Sequence, residues 1–378
     1  MPTLVTRYVD TRSPAGGNGT TPSTGSGDPN RAYPNLSASL AATSASFPDL
    51  VSADIILKIE CAGGLDTSSL QSAHAPNFVS DYDRYLWIAV NSQSKHQGVW
   101  DTAKYTIASS GNTTRVIALD NITALKLEGL QIENRALNGI WSVITNINAT
   151  TQNRELQIID CHIRSISGSG NNVSAISFPY IIRKNLVLIN NIIHGPFSTA
   201  IASSFIPSGS KPTIIHNNTI VGAFGTGINL SSAVTPTTNS IYNNIVIMSG
   251  SGTTAYVTSS GIPLFTGNNI SSDNTSPQTN LRNINIQFVN TASGDFRLTD
   301  RLSPAVNAGA DLSTDILYPL ITDVAGNIRG TGRGGRPWDI GALEYQRPPN
   351  VINNTTGRQF VISSTGSRGR VIGSNTWG

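Results

Sequence analysis

An internal repeat of 25 to 31 residues constrains this chain more than any other feature of its sequence. Six segments share one pattern, in which a β-strand leads into a sharp polar bend and a second short strand follows. The bend residues are Gly129, Asp160, Asn190, Asn217, Asn243 and Asn268. The repeat is too long for a leucine-rich repeat and too irregular for a propeller. It predicts an all-β fold, a right-handed parallel β-helix whose stacked coils share one core.

Asparagine recurs at the bends because it tolerates the left-handed backbone conformation that a tight corner demands. A second asparagine follows the bend in the last four segments. Coils stack at the spacing of β-strands, about 4.8 Å, which is within reach of an amide that donates to one neighbour and accepts from the other. We therefore expect a structural ladder of amides in two columns: Asn190, Asn217, Asn243 and Asn268 in one, and Asn191, Asn218, Asn244 and Asn269 in the other.

The chain divides into four parts. They are an N-terminal strand, loop and capping helix (1–49), the β-helix coils (50–293), a C-terminal end module (294–345) and a basic C-terminal extension (346–378). The helix is predicted over 35–46, with Asn35 or Ser37 as its N-cap, and it shields the open end of the solenoid. If coils continue to the end of the third part, there are on the order of 11 of them, a rod of roughly 50 Å.

The overall charge and composition exclude several classes of protein. Only 12% of residues are charged and the net charge is +3, so no broad nucleic-acid surface is expected. No apolar run approaches the ~20 residues of a membrane span, and the N-terminus lacks the pattern of a secretory signal, so we expect neither membrane insertion nor export by the general route. The two cysteines have no metal or redox spacing. No metal or cofactor is expected.

Several motifs resemble those of a known group of proteins. The sequence has YVD at Tyr8–Asp10 before a Gly-rich loop, GDFRLTDRLSPAVNAGAD from Gly294, DVAGNIRG from Asp323 and WDIGALEY from Trp338. Together with the repeat, these motifs resemble the pectin-lyase-like superfamily of right-handed parallel β-helices with a DIGALEY-type end module, found in tailed-phage and bacterial surface proteins. The resemblance spans nearly the whole chain, and it implies a fold and not a reaction.

The same resemblance raises the question of polysaccharide cleavage. Glu133, Arg164 and His194 occupy one repeat position in three successive coils, with Asp160 and His162 beside them. Such a column could bind an anionic sugar or perform acid–base chemistry, and these five residues are the candidate catalytic set. The alternative is a solvent-facing ladder of salt bridges, which we favour. The adjacent aspartates that the resemblance implies for a hydrolase are missing, which argues against that class of enzyme.

Two further groups of residues have competing interpretations. Aromatic residues concentrated between 80 and 105 either stack on sugar rings or fill the core of the first coils; they are Tyr82, Tyr85, Trp87 and Trp100. Opposite charges in the end module predict a structural lock, such as a pair between Arg329 and Asp339.

The last 33 residues, from Gln346, carry four arginines and no acidic residue. Two short strands are predicted, at Gln359–Ser363 and Arg370–Gly373. Such an extension is either an arm that docks on a partner or a disordered tail.

These features favour a virion structural or attachment protein of a tailed phage, such as a head decoration, fibre or spike. The expected partners are copies of the same chain in a homotrimer, and other virion proteins bound through the C-terminal arm, with a glycan as a further ligand. The alternative is a polysaccharide lyase or hydrolase. A weaker alternative is an adhesin that is secreted or held at the bacterial surface.

Overall fold

A computed structural model describes residues 1–68, 78–109, 116–118, 122–135, 144–145, 155–166, 174–178, 185–203, 213–222, 225–230, 239–250, 253–258, 264–315, 318–330, 337–346, 350–353 and 359–362. These residues form a parallel β-helix with three sheets, which confirms the predicted fold class. No helix in this part of the chain is long and apolar enough to cross a membrane.

Each sheet takes one strand from each successive coil, and all pairings between coils are parallel. The first sheet has nine strands: Thr3–Asp10, Ile55–Ala62, Leu86–Val90, Ala124–Glu128, Glu155–Ile159, Asn185–Ile189, Thr213–His216, Asn239–Tyr242 and Leu264–Gly267. The second has eight: Leu65–Asp66, Thr106–Ala108, Gln131–Asn134, His162–Ser165, Ile192–His194, Thr219–Gly222, Ile245–Met248 and Ile270–Ser271. The third has six: Ile117–Ala118, Ile144–Thr145, Ser174–Phe178, Thr199–Ser203, Thr226–Leu230 and Thr254–Thr258.

Aliphatic side chains from all three sheets fill the interior of the solenoid. In the first sheet, Leu127, Ile158 and Leu188 are register partners in consecutive coils, and all three are fully buried. In the second sheet, Ile132 and Ile163 are aligned in the same way. Branched apolar side chains stack well at the strand spacing, so each coil contributes a layer to one continuous core.

The predicted bends lie between the first and second sheets, and each has a left-handed backbone. The φ angles are 73° at Gly129, 56° at Asp160, 57° at Asn190, 54° at Asn217, 58° at Asn243 and 55° at Asn268. These residue types enter the left-handed region at least cost, so the repeat identified the corner of every coil from the fourth strand of the first sheet onward.

A buried amide ladder follows the bends, and it runs through the second predicted column. The Asn218 side-chain oxygen accepts from both the backbone N–H (2.9 Å) and the side-chain amide (3.0 Å) of Asn191. Asn244 accepts from Asn218 in the same way, and Asn269 accepts from Asn244. Gln278 ends the ladder by accepting from Asn269 at 3.0 Å. Every member therefore satisfies a backbone donor of the preceding coil.

The bend asparagines themselves form a ladder only in part. Asn190 donates to Asp160 at 3.1 Å and Asn243 donates to Asn217 at 3.3 Å. Their main partners are backbone oxygens of the C-terminal part of the chain: Thr322 for Asn190, Gly341 for Asn217, Ala310 for Asn243 and Ala308 for Asn268. The side chains of the first column therefore serve mainly to bind the backbone of the C-terminal part of the chain.

The N-terminal helix, Leu36–Ser46, caps the solenoid as predicted. Asn35 is the N-cap, and its side chain accepts a hydrogen bond from the backbone N–H of Ala38. Leu36 and Leu40 point into the main core, where both are buried. Their burial closes the apolar end that the first coil would otherwise expose.

The C-terminal end module does not extend the rod, so the expectation of about 11 coils up to residue 345 is wrong. The coil strands end at Ile270–Ser271. The described residues of 279–345, here named the outer segment, return along the outside of the solenoid and pack on the outward sides of the first two sheets. The segment contains two 3-10 turns, Thr279–Leu281 at its start and Thr291–Ser293, and one antiparallel pair, Phe288–Asn290 with Asp295–Leu298.

Beyond the outer segment, the strands Asn350–Asn353 and Gln359–Ile362 form an antiparallel pair. The predicted strand at 359–363 is therefore present, and its partner precedes it. The predicted strand Arg370–Gly373 and all four arginines of the extension lie outside the described residues.

Replacing Asn218 by alanine tests the contribution of the ladder to stability. The substitution leaves the backbone N–H of Asn191 and the carbonyl of Leu188 without their present partners. Because both groups are buried, we expect a loss of roughly 2–4 kcal/mol in the free energy of unfolding. Denaturation in guanidinium, followed by circular dichroism, measures it. The control is Asn18→Ala in an exposed loop, where the loss should stay within about 0.5 kcal/mol; equal losses would contradict a stabilising ladder.

Candidate functional site

The column predicted from the repeat exists. Arg164 is the register partner of Glu133 on one side and of His194 on the other. Side chains alternate along a strand, and since Ile132, Ile163 and Ile193 point into the core, these three point outward. His162 points outward from the same strand as Arg164.

The charges of the column neutralise one another. Arg164 Nη2 lies 2.7 Å from Glu133 Oε1, and Arg135 Nε donates to Glu133 Oε2 at 2.6 Å. Glu133 is only 1% exposed. The guanidinium of Arg164 also lies over the Trp100 ring, with its central carbon 3.7 Å from the ring centroid. Both oxygens of the carboxylate are therefore occupied by arginines, and neither is free to contact a substrate.

Next to this ion pair lies a cluster of buried rings. The ring centroid of His162 is 5.4 Å from that of His96, 5.1 Å from Trp100 and 5.0 Å from His194. Among the described residues, neither ring nitrogen of His162 has a hydrogen-bond partner, and the Nε2 atom of His194 has none. Phe296 of the outer segment lies 4.9 Å from His194, between centroids.

Burial sets the protonation of these histidines. It lowers the pKa of His96 to about 3 and that of His194 to about 3, and it holds the pKa of His162 well below 6.5. The nearby cations add to the effect, Lys95 at His96 and Arg164 at the other two. All three imidazoles are therefore neutral at pH 7.

The expected salt bridge between neighbouring coils is present as the pair of Glu133 and Arg164, but the column faces solvent only in part. The loop that carries Trp100 crosses the column from one side, and the backbone N–H of Trp100 donates to the carbonyl of Gly294 at 3.1 Å. Trp100 is 8% exposed and His162 is 0% exposed. Two polypeptide segments from distant parts of the sequence thus cover most of the column, although 21% of the Arg164 side chain stays exposed and His194 is half-buried.

Asp160 lies at the corner and its carboxylate binds elsewhere. Lys95 Nζ lies 2.7 Å from Asp160 Oδ2, and Asn190 donates to the other oxygen. Burial raises the pKa of Asp160, against the opposing effect of Lys95. Lys95 was not identified from the sequence, because no motif links it to a residue 65 positions later.

The four predicted sugar-stacking aromatics do not form one platform. Trp100 belongs to the covered column, whereas Trp87 lies on the outward side of the first sheet, in register with Lys58 and Lys126. The two ammonium groups lie 4.9 and 4.4 Å from the Trp87 ring centroid. Since these lysines come from the two neighbouring strands, they occupy the ring faces that a sugar would use. Tyr85 is half-buried and Tyr82 is 45% exposed.

The charged lock in the end module exists with a different pairing from the predicted one. Arg329 forms its ion pair with Glu344 at 2.7 Å, and its side chain has no exposed surface. It also donates to Asn190 Oδ1 at 2.8 Å and to the Gly341 carbonyl at 3.0 Å. The Asp339 carboxylate accepts instead from the backbone N–H of Asn307 and Tyr345. The lock therefore fastens the outer segment to a bend of the solenoid.

The chemistry open to this arrangement is limited. Within the described ranges, no group of three or more His, Cys, Asp or Glu side chains is placed to hold a metal ion. The candidate acid–base groups are buried, paired or held neutral. The column is suited to holding the outer segment in place, and less suited to binding a polymer substrate.

Replacing Arg329 by methionine tests the lock. The change leaves the Glu344 carboxylate buried without its cation, so we expect a loss of about 3–5 kcal/mol. Calorimetry should show an early transition for the outer segment. The double variant Arg329→Met/Glu344→Leu should recover much of the loss. Arg84→Met, which breaks ion pairs with Asp81 and Asp54, whose side chains are 32% and 61% exposed, should cost less than about 1 kcal/mol. A single variant with wild-type stability would contradict the assignment of the lock.

Comparisons with known proteins leave the family open. No model of a known protein family matches this chain, and no curated protein matches its sequence. The fold is therefore established by its own geometry, as a parallel β-solenoid.

Proposed function

We propose that this protein is a virion structural or attachment protein of a tailed phage, built on a β-helix, and not an enzyme. The observation that carries the proposal is the closure of the candidate catalytic column. Glu133 is bound by two arginines, and His162 and His194 are packed against Trp100 and Phe296. An enzyme that cleaves a polymer needs an open groove in which acid and base groups reach the substrate.

The resemblance to the pectin-lyase-like superfamily and to DIGALEY-type end modules belongs to this proposal. Gly341, in the middle of the WDIGALEY motif, has a φ of 101°, and a Cβ there would lie 2.7 Å from Ile245 and Thr219. Only glycine allows this close approach, so the motif has a structural role here. A motif with a structural role supports the interpretation that the proteins that carry it share a fold and not a reaction.

The proposed assembly is a homotrimer, with the C-terminal extension as the part that contacts neighbouring copies or other virion proteins. Its support is the antiparallel pair of Asn350–Asn353 and Gln359–Ile362, which follows the lock of the outer segment. A strand pair that follows a finished solenoid is available for pairing with another chain. The proposed location is the phage particle.

A combined assay of cleavage and assembly tests the proposal. The full chain is incubated with a panel of acidic and neutral bacterial polysaccharides, and reducing ends and the absorbance of unsaturated uronates are followed. We expect neither signal, and we expect sedimentation at three times the chain mass of 40.0 kDa. An antibody against the protein should label particles from its source.

Cleavage that disappears in Arg164→Ala and in His194→Ala, but persists in Arg84→Ala, would establish a depolymerase and overturn the proposal. Arg84 is the matched control because its ion pairs are with Asp81 and Asp54, outside the Glu133 column. Absence of the protein from particles, together with binding to bacterial surfaces, would instead favour the adhesin.

A further inference from the structure

The outer segment packs on two histidines, and the contact is made with both imidazoles in their neutral form. His162 and His194 stand side by side on the second sheet, and Phe296 lies 6.0 and 4.9 Å from them. Gly294 approaches so closely that a Cβ there would lie 2.6 Å from Trp100 Cβ. The contact is apolar on both sides, and it provides no described hydrogen-bond acceptor for a protonated His162 ring.

We propose that the outer segment is an acid-released cover, which separates from the second sheet when His162 and His194 gain protons. A protonated His162 ring in this contact would have neither water nor a carboxylate partner, and a protonated His194 would have none at its buried Nε2 atom, whereas a histidine uncovered by release of the segment is solvated. Protons therefore bind preferentially to the open state. This inference is independent of the proposed virion role.

The charges around the two rings favour the neutral state from most directions. The loop that precedes Trp100 contributes Lys95 and His96. The strand of His162 itself contributes Arg164. The outer segment contributes Asp295, which is paired with Arg297 at 2.5 Å. The remaining carboxylates of the contact are committed to cations, Glu133 to Arg164 and Arg135, and Asp160 to Lys95. Asp101 N–H binds Gln131, and the Asp101 carboxylate accepts from Ala103 N–H.

The pH window follows from the depressed pKa values. An exposed histidine titrates near 6.5, and the covered His194 titrates at about 3. In the interval between them the open state binds more protons, so the closed state loses stability as the pH falls below about 6.5. Between pH 7 and pH 5, linkage raises the open fraction about 25-fold for each histidine, and about 600-fold for the two together.

Hydrogen exchange of the full chain provides the direct test. Exchange is measured by mass spectrometry at pH 7 and pH 5 and corrected for the intrinsic rate at each pH. Peptides that contain Asp295–Leu298 and Ile340–Leu343 should exchange at least ~100-fold faster at pH 5. Peptides from the coil strand Glu155–Ile159 should remain protected. Simultaneous loss of protection in both regions would indicate global acid unfolding and would overturn the proposal.

Two sets of variants assign the effect to the histidines. In His162→Phe/His194→Phe, the aromatic packing is retained and the titration is removed, so the increase at pH 5 should fall to less than ~3-fold. An unchanged increase would overturn the proposal. If the double variant does not fold, His194→Phe alone should reduce the increase about 25-fold.

Controls separate the switch from ordinary destabilisation. Phe296→Ala should raise exchange of the outer segment at both pH values, which establishes that the peptides report release. His216→Asn removes another buried histidine, one that has Ser240 as a partner at 2.7 Å and feels the Asp315 carboxylate. It should keep most of the acid response. Loss of the response in His216→Asn would place the sensor elsewhere and overturn the assignment.

Discussion

The left-handed bend between the first and second sheets is the constraint on which the rest of the structure depends. It turns the chain sharply enough for consecutive coils to stay in register, and it places a second asparagine where its amide is buried between coils. A buried amide is costly unless every hydrogen bond is made, and here Asn218 makes them to the coils before and after it. The ladder therefore specifies the stacking register in addition to stabilising it.

A parallel sheet tends to be buried on both faces, and the outer segment meets this requirement. The outward side chains of the second sheet become more apolar along the stack, from Gln131 and His162 to Ile192 and Ile245, with Thr219 between the two isoleucines. Ile340 and Ala342 cover the apolar end. The chain after Ser271 thus shields sheet surface rather than extending the rod. It docks on the same bends whose conformation the asparagines define.

The parts of the fold that repeat could be predicted from the sequence, and the parts that do not repeat could not. Each bend, from Gly129 to Asn268, was identified because a period of stacked coils places the same requirement on the same residue type. The return of the outer segment depends on contacts such as Asn190 with Thr322, 132 residues apart, for which no period exists. The lock was predicted with the wrong partner for a related reason: Asp339 and Glu344 are both carboxylates near Arg329, and only the three-dimensional path decides between them.

In the candidate site, too, the repeat predicts one part of the arrangement and not the other. Register predicted that Glu133, Arg164 and His194 would stack, and they do. The register of the strands does not show which segments pack on the outside of a sheet. Packing under Trp100 and Phe296 sets the solvent exposure of these side chains and the protonation of the histidines. In an open groove the same three side chains would be accessible to solvent and to a substrate. Under the cover, the carboxylate is neutralised by arginines and the imidazoles lose their affinity for protons, because desolvation outweighs every other effect on their pKa values. The position of the outer segment, rather than the identity of the residues, therefore determines whether the column can react with a substrate or serves only as a structural contact.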